Sequence, residues 1–253
     1  MTGVYQAAIS NDEAKELIDL CCWDRLFTIT VGNGDKKIME GLIERWWDTT
    51  HTFHFLKLEI GFTPLDFTFL TGISIGSGDP PPFNLEAFAD YESMMYTYFL
   101  HMTPHISENK HQYRGNGINP TYVKEYILQS QARDTTEEGE EIARAFFMWM
   151  IGQVFFANST CVVPIGWLAA LLVIEDVGTY DWGSSILARI YRSLDECSRC
   201  APYFSGMWMI LEERECQSGQ LENVPSFRER KRRSGVWNGM RNATLIPWFR
   251  LLK

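Results

Sequence analysis

The sequence predicts a mainly α (α+β) fold, a single helical domain with a small antiparallel β-hairpin near residues 51–62. Three observations carry that expectation. In most segments apolar residues recur at three- and four-residue spacing, which lines one face of a helix. Only His51-Thr52-Phe53-His54-Phe55 and Leu58-Glu59-Ile60-Gly61-Phe62 alternate at every second residue, flanking a short turn at Leu56-Lys57; period two is the strand pattern. At 253 residues, 45% hydrophobic and 22% charged, the chain can bury a substantial core and is too apolar to remain disordered.

In chain order, Ser10 with Glu13 reads as a capping box opening a helix through Leu17, Ile18 and Leu20. Asp35 is placed to cap a second helix, on which Ile38, Leu42 and Trp46 recur every four residues. After the hairpin, Thr63-Pro64-Leu65-Asp66 supplies an N-cap, a first-turn proline and an acid at the positive end of the dipole. That short helix should stop at Gly72, before a breaker-rich loop of Gly76, Gly78 and Pro80-Pro81-Pro82. A helix is expected over Leu85 to Phe99, then irregular chain through Asn116, then a helix from Asn119-Pro120 to about Gln131. The acids Glu137, Glu138, Glu140 and Glu141 precede Ile142 to Ala157, apolar around almost its whole circumference and so the expected central helix. In a first turn those acids complement the helix dipole. Pro164 to Ile174 reads as an apolar helix, Ser184 to Cys197 as an amphipathic one, and Tyr203 to Cys216 as the close of the ordered region. The remainder is polar and basic until Leu245 to Leu252.

Composition narrows the function classes. No stretch is long and apolar enough to span a membrane, and Met1 to Asn11 lacks the basic-then-apolar order of a signal peptide. Six Cys in such a chain read as reduced thiols, and the sequons at Asn158 and Asn242 as chance matches in an intracellular protein. A net charge of −9 opposes duplex binding, which needs a basic face. The local exception is Arg228, Arg230, Lys231, Arg232 and Arg233, interrupted by Glu229; it reads as a nuclear import signal, a nucleic-acid contact or a solvated linker.

Two segments carry a resemblance. From Gly41 to Ile73 run a Trp46-Trp47 helix, Thr50-His51-Thr52-Phe53-His54, a hairpin, then Thr63-Pro64-Leu65-Asp66 and Leu70-Thr71-Gly72. The second comprises Ala143 to Ala157 and Asp176-Val177-Gly178-Thr179-Tyr180-Asp181-Trp182-Gly183 ahead of an Ala/Leu-rich helix. Together, over about residues 40–215, they resemble the plant mobile domain family. The implied layout is a domain over 1–217 and a basic, polar C-terminal segment over 218–253, a divergent or truncated end of the same domain. The resemblance also implies transposon-associated proteins whose domesticated members act in the nucleus in silencing and gene-expression control. Those members work with a plant serine/threonine phosphatase of the phosphoprotein phosphatase superfamily.

The family is sometimes labelled aminotransferase-like, which the residues do not support. The eight Lys sit in polar, surface or turn contexts, and no alternating αβ pattern builds a pyridoxal-phosphate domain. His51 and His54, three apart on an expected strand, should point to opposite faces rather than chelate one ion. His101, His105 and His111 fall in irregular, solvent-facing chain. Cys197-Ser198-Arg199-Cys200 follows a helix instead of opening one, and a zinc site would need two more ligands, with Cys216 the nearby candidate. Asp66, Asp176 and Asp181 are the in-motif acids a two-metal nuclease would need, but no supporting multistranded sheet is apparent, and Asp66 and Asp181 read as helix caps. Trp46, Trp47, Trp149, Trp167 and Trp208 read as core at helical spacing.

The expectation is therefore a non-catalytic interaction module without cofactor or metal. Asp176, Tyr180, Asp181, Trp182 and Gly183 are the candidate partner-binding residues, in a loop where Gly183 lets another backbone approach. The alternative is a transposon-derived nucleic-acid-binding domain using the 228–233 run and the helix after Pro64, and a metal-dependent hydrolase ranks third.

Overall fold

A computed structural model describes residues 1–29, 36–56, 58–86, 91–102, 117–130, 138–160 and 162–211. Its fold is mainly helical with a small antiparallel sheet. The N-terminal helices are α1 (Thr2–Ala8), α2 (Asp12–Asp19) and α3 (Asp24–Thr28). The cap of α2 is Asn11, whose Oδ1 accepts from Ala14 N at 2.9 Å. Ser10 instead donates to Ala7 O within the turn that ends α1, so the expected Ser10 capping box is not formed. Helix α4 (Lys36–Ile43) ends before Trp46, which belongs to a strand and not to the helical stripe expected with Leu42. Asp35 lies outside the described residues.

The hairpin forms where period two predicts it, from β2 (Thr52–Phe55) and β3 (Leu58–Gly61), with Phe55 opposite Leu58 and Phe53 opposite Ile60. A third, unanticipated strand, β1 (Trp46–Trp47), pairs antiparallel with β2 and puts Trp46 opposite Phe53. Helix α5 (Pro64–Thr71) opens on the expected capping box: Thr63 Oγ1 accepts from Asp66 N and Asp66 Oδ2 accepts from Thr63 N. It stops at Gly72 with φ +76°, the left-handed conformation that a side chain resists. Helix α6 covers Tyr91–Tyr98, shorter than the expected 85–99 span, and residues 87–90 lie outside the described set. Helix α7 (Pro120–Ser130) begins at Pro120 as expected, with Asn119 Oδ1 accepting from Thr121 N at 2.9 Å.

The centre is α8 (Gly139–Met150), continued by a π-helical turn over Ile151–Phe155. Every α8 residue except Glu140 is buried, as its all-round apolar sequence requires. Helices α1, α2 and α7 pack around it. Glu140 and Glu141 occupy the first turn, but Glu141 does more than complement the dipole. Its buried carboxylate accepts from the backbone N–H groups of His101 and Met102, the latter at 2.8 Å. Arg144, also buried, donates to Leu171 O and Tyr98 O and pairs with Glu140.

The expected α-helix over 164–174 is replaced by two 3₁₀ segments, Ile165–Leu171 and Ile174–Thr179, separated by extended Val173. In a 3₁₀ turn side chains three apart eclipse, and Ile165, Leu168, Leu171, Ile174 and Val177 are all buried at that spacing. Helix α9 (Trp182–Ser198) lies where the amphipathic pattern places it, burying Ile186, Ile190 and Leu194. The described chain closes with irregular residues and one 3₁₀ turn, Trp208–Leu211; the rest of the 203–216 stretch lies outside the described residues. Among the described residues no helix is long and apolar enough to cross a membrane.

Candidate interaction site

The two segments that carry the motifs meet. After Gly72 the chain enters the 73–79 loop, which lies against Thr179 to Gly183 at the start of α9. Asp181 joins them through both carboxylate oxygens. Oδ1 accepts from Ser184 N at 2.9 Å, the expected N-cap, and Oδ2 accepts from Gly76 N at 3.0 Å. The Asp181 N–H donates to Asp79 O at 2.8 Å. Two glycines allow the approach: a Cβ on Gly183 would stand 2.1 Å from Ser74 O, and one on Gly78 2.0 Å from Thr179 O. The loop and the helix start form one interlocked unit.

This placement divides the five candidate partner-binding residues. Trp182 is 1% exposed, its indole N–H donating to Val177 O at 2.8 Å. Its ring lies edge-on to Trp23, with centroids 6.2 Å apart, and beside Phe155 and Trp167. Trp182 and Gly183 thus hold the site together from inside and offer no surface, contrary to the exposed loop expected from sequence. Asp181 is buried as well. Asp176 is exposed and Tyr180 half-buried, so these two are the members that a partner can touch. Thr179 ties this stretch into a turn by donating to Asp176 O at 2.6 Å.

A second constellation fixes the sheet to α9. Asp195 accepts from the buried indole N–H of Trp46 at 2.7 Å, and its other oxygen lies 3.4 Å from His51 Nε2. His51, with φ +52°, stacks on Tyr191 with ring centroids 5.2 Å apart. The Tyr191 hydroxyl donates to Phe62 O just past β3. Burial, and then the charge of Asp66, raises that phenol above the usual tyrosine range. Arg199 donates to Asp48 from Nε at 2.9 Å, and this hydrogen bond holds the exposed carboxyl below its usual range. His51 precedes β2 rather than lying in it, while His54 lies in it and contacts Trp47, Thr52 and Glu59. The two histidines serve different neighbours, but not through strand alternation, since His51 lies outside the expected strand.

The three in-motif acids do not converge: Asp66 caps α5, Asp181 caps α9 and Asp176 is exposed. Among the described residues no group of three or more His, Cys, Asp or Glu side chains is placed to hold a metal ion. In the Cys197/Cys200 pair, Cys197 is buried, its thiol donating to Tyr203 O, and Cys200 is exposed with φ +74°. Arg228, Arg230, Lys231, Arg232 and Arg233 lie outside the described residues.

Sequence reasoning missed Asp195, Tyr191 and Glu141. Asp195 and Tyr191 are ordinary members of an amphipathic helix, and their partners lie 149 and 129 residues away. Glu141 sat inside an acidic run that helix-dipole complementarity already explained.

Comparison with known proteins points one way. The family model described as "Plant mobile domain" matches residues 26–218. The chain is 27% identical over 184 residues to Protein MAIN-LIKE 2 of Arabidopsis thaliana, covering 72% of this chain and 26% of that protein. It is 25% identical over 179 residues to Protein MAINTENANCE OF MERISTEMS of the same plant, covering 70% of this chain and 35% of that protein. It is also 25% identical over 172 residues to the Arabidopsis Serine/threonine-protein phosphatase 7 long form homolog, covering 65% of this chain and 12% of that protein. The chain thus spans about a third or less of the length of these relatives. No solved structure matches.

Proposed function

The chain belongs to the plant mobile domain family, and on that premise we propose that it is a non-catalytic protein-interaction module. In this reading it acts in the nucleus in transposon silencing and gene-expression control, with a serine/threonine phosphatase of the phosphoprotein phosphatase superfamily as partner. The observation that carries the reading is the match to a protein named as a serine/threonine phosphatase homolog. There the aligned region occupies only 12% of the length, the proportion of an accessory segment appended to other machinery. The accessible members of the interlocked unit, exposed Asp176 and half-buried Tyr180, are the contact points, since a surface loop held on a rigid scaffold suits recognition.

The test is a pull-down from plant nuclear extract with the folded protein as bait, beside a bait carrying Asp176→Ala and Tyr180→Ala. Recovery of a phosphatase of that superfamily, reduced with the double variant, supports the reading. Equal recovery moves the surface elsewhere, and no phosphatase at all removes the partner. Trp182→Ala is unsuitable as a contact probe, because it empties the core. A second reading, direct nucleic-acid binding, rests on the basic run at 228–233. It predicts salt-sensitive binding whose slope falls when those arginines are replaced.

A further inference from the structure

Neither the interlocked loops nor the Asp195 constellation uses the outer face of the sheet. Trp46, Phe53 and Ile60 point into the core, so the alternate residues point out. Strand pairing sets Trp47 beside Thr52 and Thr52 beside Gly61 in one row, with His54 beside Glu59 in the next. Trp47 is 53% exposed, a large apolar ring left facing water. It is nevertheless held in place, stacked on His54 with centroids 5.2 Å apart and planes at 26°. On its other side His54 Nε2 lies 3.5 Å from Glu59 Oε1, and the Thr52 hydroxyl donates to that same oxygen at 2.7 Å. A fixed indole and a fixed carboxylate thus flank one imidazole, and Gly61 leaves the neighbouring row low.

We propose that this face docks a basic, extended segment of a partner protein, one cationic side chain lying over Trp47 and a second pairing with Glu59. The chemistry of both attachment points selects a cation. The face of an indole ring attracts positive charge more strongly than any other side-chain ring, and Glu59 is a carboxylate with half its side chain exposed. The neighbouring acids already have cationic partners: Asp48 holds Arg199 and Glu44 faces Arg45, whereas among the described residues the contacts of Glu59 are a hydroxyl and His54. The chain's net charge of −9 steers basic segments toward it and phosphate backbones away. In an extended peptide, residues i and i+2 point the same way at roughly 7 Å spacing, which suits two attachment points with one imidazole between them. Arginine fits better than lysine, because its planar guanidinium stacks on the ring. This inference does not depend on the phosphatase reading, since the surface and the test are separate.

The experiment titrates the whole chain with a blocked heptapeptide alternating Thr and Arg, following the indole N–H signals by NMR. The Trp47 signal is identified by its loss in Trp47→Phe. Matched peptides carry citrulline (the same planar shape without charge) or Glu in place of Arg, and a fourth ligand is a single-stranded oligonucleotide. The Arg peptide is expected to move the Trp47 signal saturably, and its binding to weaken about tenfold with Trp47→Ala (followed there by the adjacent Trp46 signal), severalfold with Glu59→Gln, and with added salt. Citrulline and Glu peptides should bind at least about tenfold less. Trp47 is exposed, so both variants should keep the wild-type melting temperature, which is checked first. The proposal is overturned if the Trp47 signal does not move, if citrulline binds as well as Arg, or if the oligonucleotide binds the face as well as the peptide. Concentration-dependent movement of the Trp47 signal without any ligand would instead identify a second copy of this chain as the occupant, and would overturn it too.

Discussion

Asp181 accepts the backbone N–H of Gly76 at 3.0 Å across 105 residues of chain while its other oxygen caps α9. One side chain thereby joins the two motifs through which the chain resembles its family. Asp181→Ala removes both roles, takes the side-chain acceptor from Ser184 N–H, and leaves Gly76 N–H only its longer contact to Ser184 Oγ at 3.3 Å. The expected loss is about 2–4 kcal/mol, the sum of a cap and a tether. Asp181→Asn should lose about half as much: its Oδ1 still caps, but its amide group turns a donor toward Gly76 N–H. Urea unfolding of the three proteins checks the order; equal loss in both variants would show that the tether alone matters, and no loss in Asp181→Asn that the cap alone does.

The backbone approach at Gly183 predicts a steeper effect. An alanine methyl would stand 2.1 Å from Ser74 O, and neither the helix start nor the loop can retreat without breaking the Asp181 contacts. Gly183→Ala is expected to cost about 3 kcal/mol or more, the scale of overpacking in a closed core. Gly3→Ala, in α1 with nothing within 4 Å of the added carbon, should instead stabilise by about 0.5–1 kcal/mol through helix propensity. Thermal unfolding of the pair decides it, and a harmless Gly183→Ala would mean that the two loops are not interlocked.

The hairpin, the α5 capping box, the Gly72 stop, the buried α8 and the Asp181 cap were all legible in the sequence, because each follows from residues within a few positions of one another. What escaped depends on partners far along the chain. Trp46 reads as helical with Leu42 by spacing, yet pairing with β2 and the Asp195 acceptor place it in a strand. Pro164 to Ile174 reads as an apolar α-helix, whereas the buried positions from Ile165 to Val177 fall at a period of three, in 3₁₀ runs of a length that is uncommon. At the candidate site the motif was recognised and its exposure misjudged. Trp182 looked available in a Gly-flanked loop, but a ring of that size beside Gly183 is what fills the space between two segments that the glycine allows to touch.

Asp195 predicts how the sheet is held. Asp195→Ala strands the indole N–H of Trp46, a residue only 5% exposed, away from water, and an orphaned buried donor costs about 1–3 kcal/mol. Pairing it with Trp46→Phe, which removes the donor while keeping most of the ring, should recover part of that loss. A double-mutant cycle by chemical denaturation measures the coupling, and strict additivity would show that the hydrogen bond contributes nothing.

Tyr191 predicts a slope at alkaline pH. Burial raises its phenol in the folded state, so the unfolded chain releases that proton first. Its contribution is therefore fully present below about pH 10, the ordinary tyrosine value, and is lost as pH rises above it. Tyr5, raised for the same first reason, adds to the slope. Urea midpoints from about pH 8 to 11 should fall for the wild type and fall less for Tyr191→Phe; parallel curves would show that Tyr191 does not contribute.

The thiols test burial independently of stability. Burial pushes the Cys21 thiol up to about 12, with neighbouring Cys22 adding to the shift, and only the thiolate reacts with an alkylating agent. At about pH 8, roughly one Cys21 side chain in ten thousand would be ionised, and that fraction is shielded by the α2–α3 turn. Cys22, exposed with φ +54°, and Cys200, exposed past the end of α9, stand open to the reagent. Brief iodoacetamide treatment of the native protein, read by peptide mass spectrometry, should label Cys22 and Cys200 and spare Cys21 and Cys197. Labelling in urea should then reach all four at similar rates. Because Cys21 and Cys22 are adjacent, the same peptide reports both, and native labelling of Cys21 at a rate near that of Cys22 would mean that the turn between α2 and α3 opens readily.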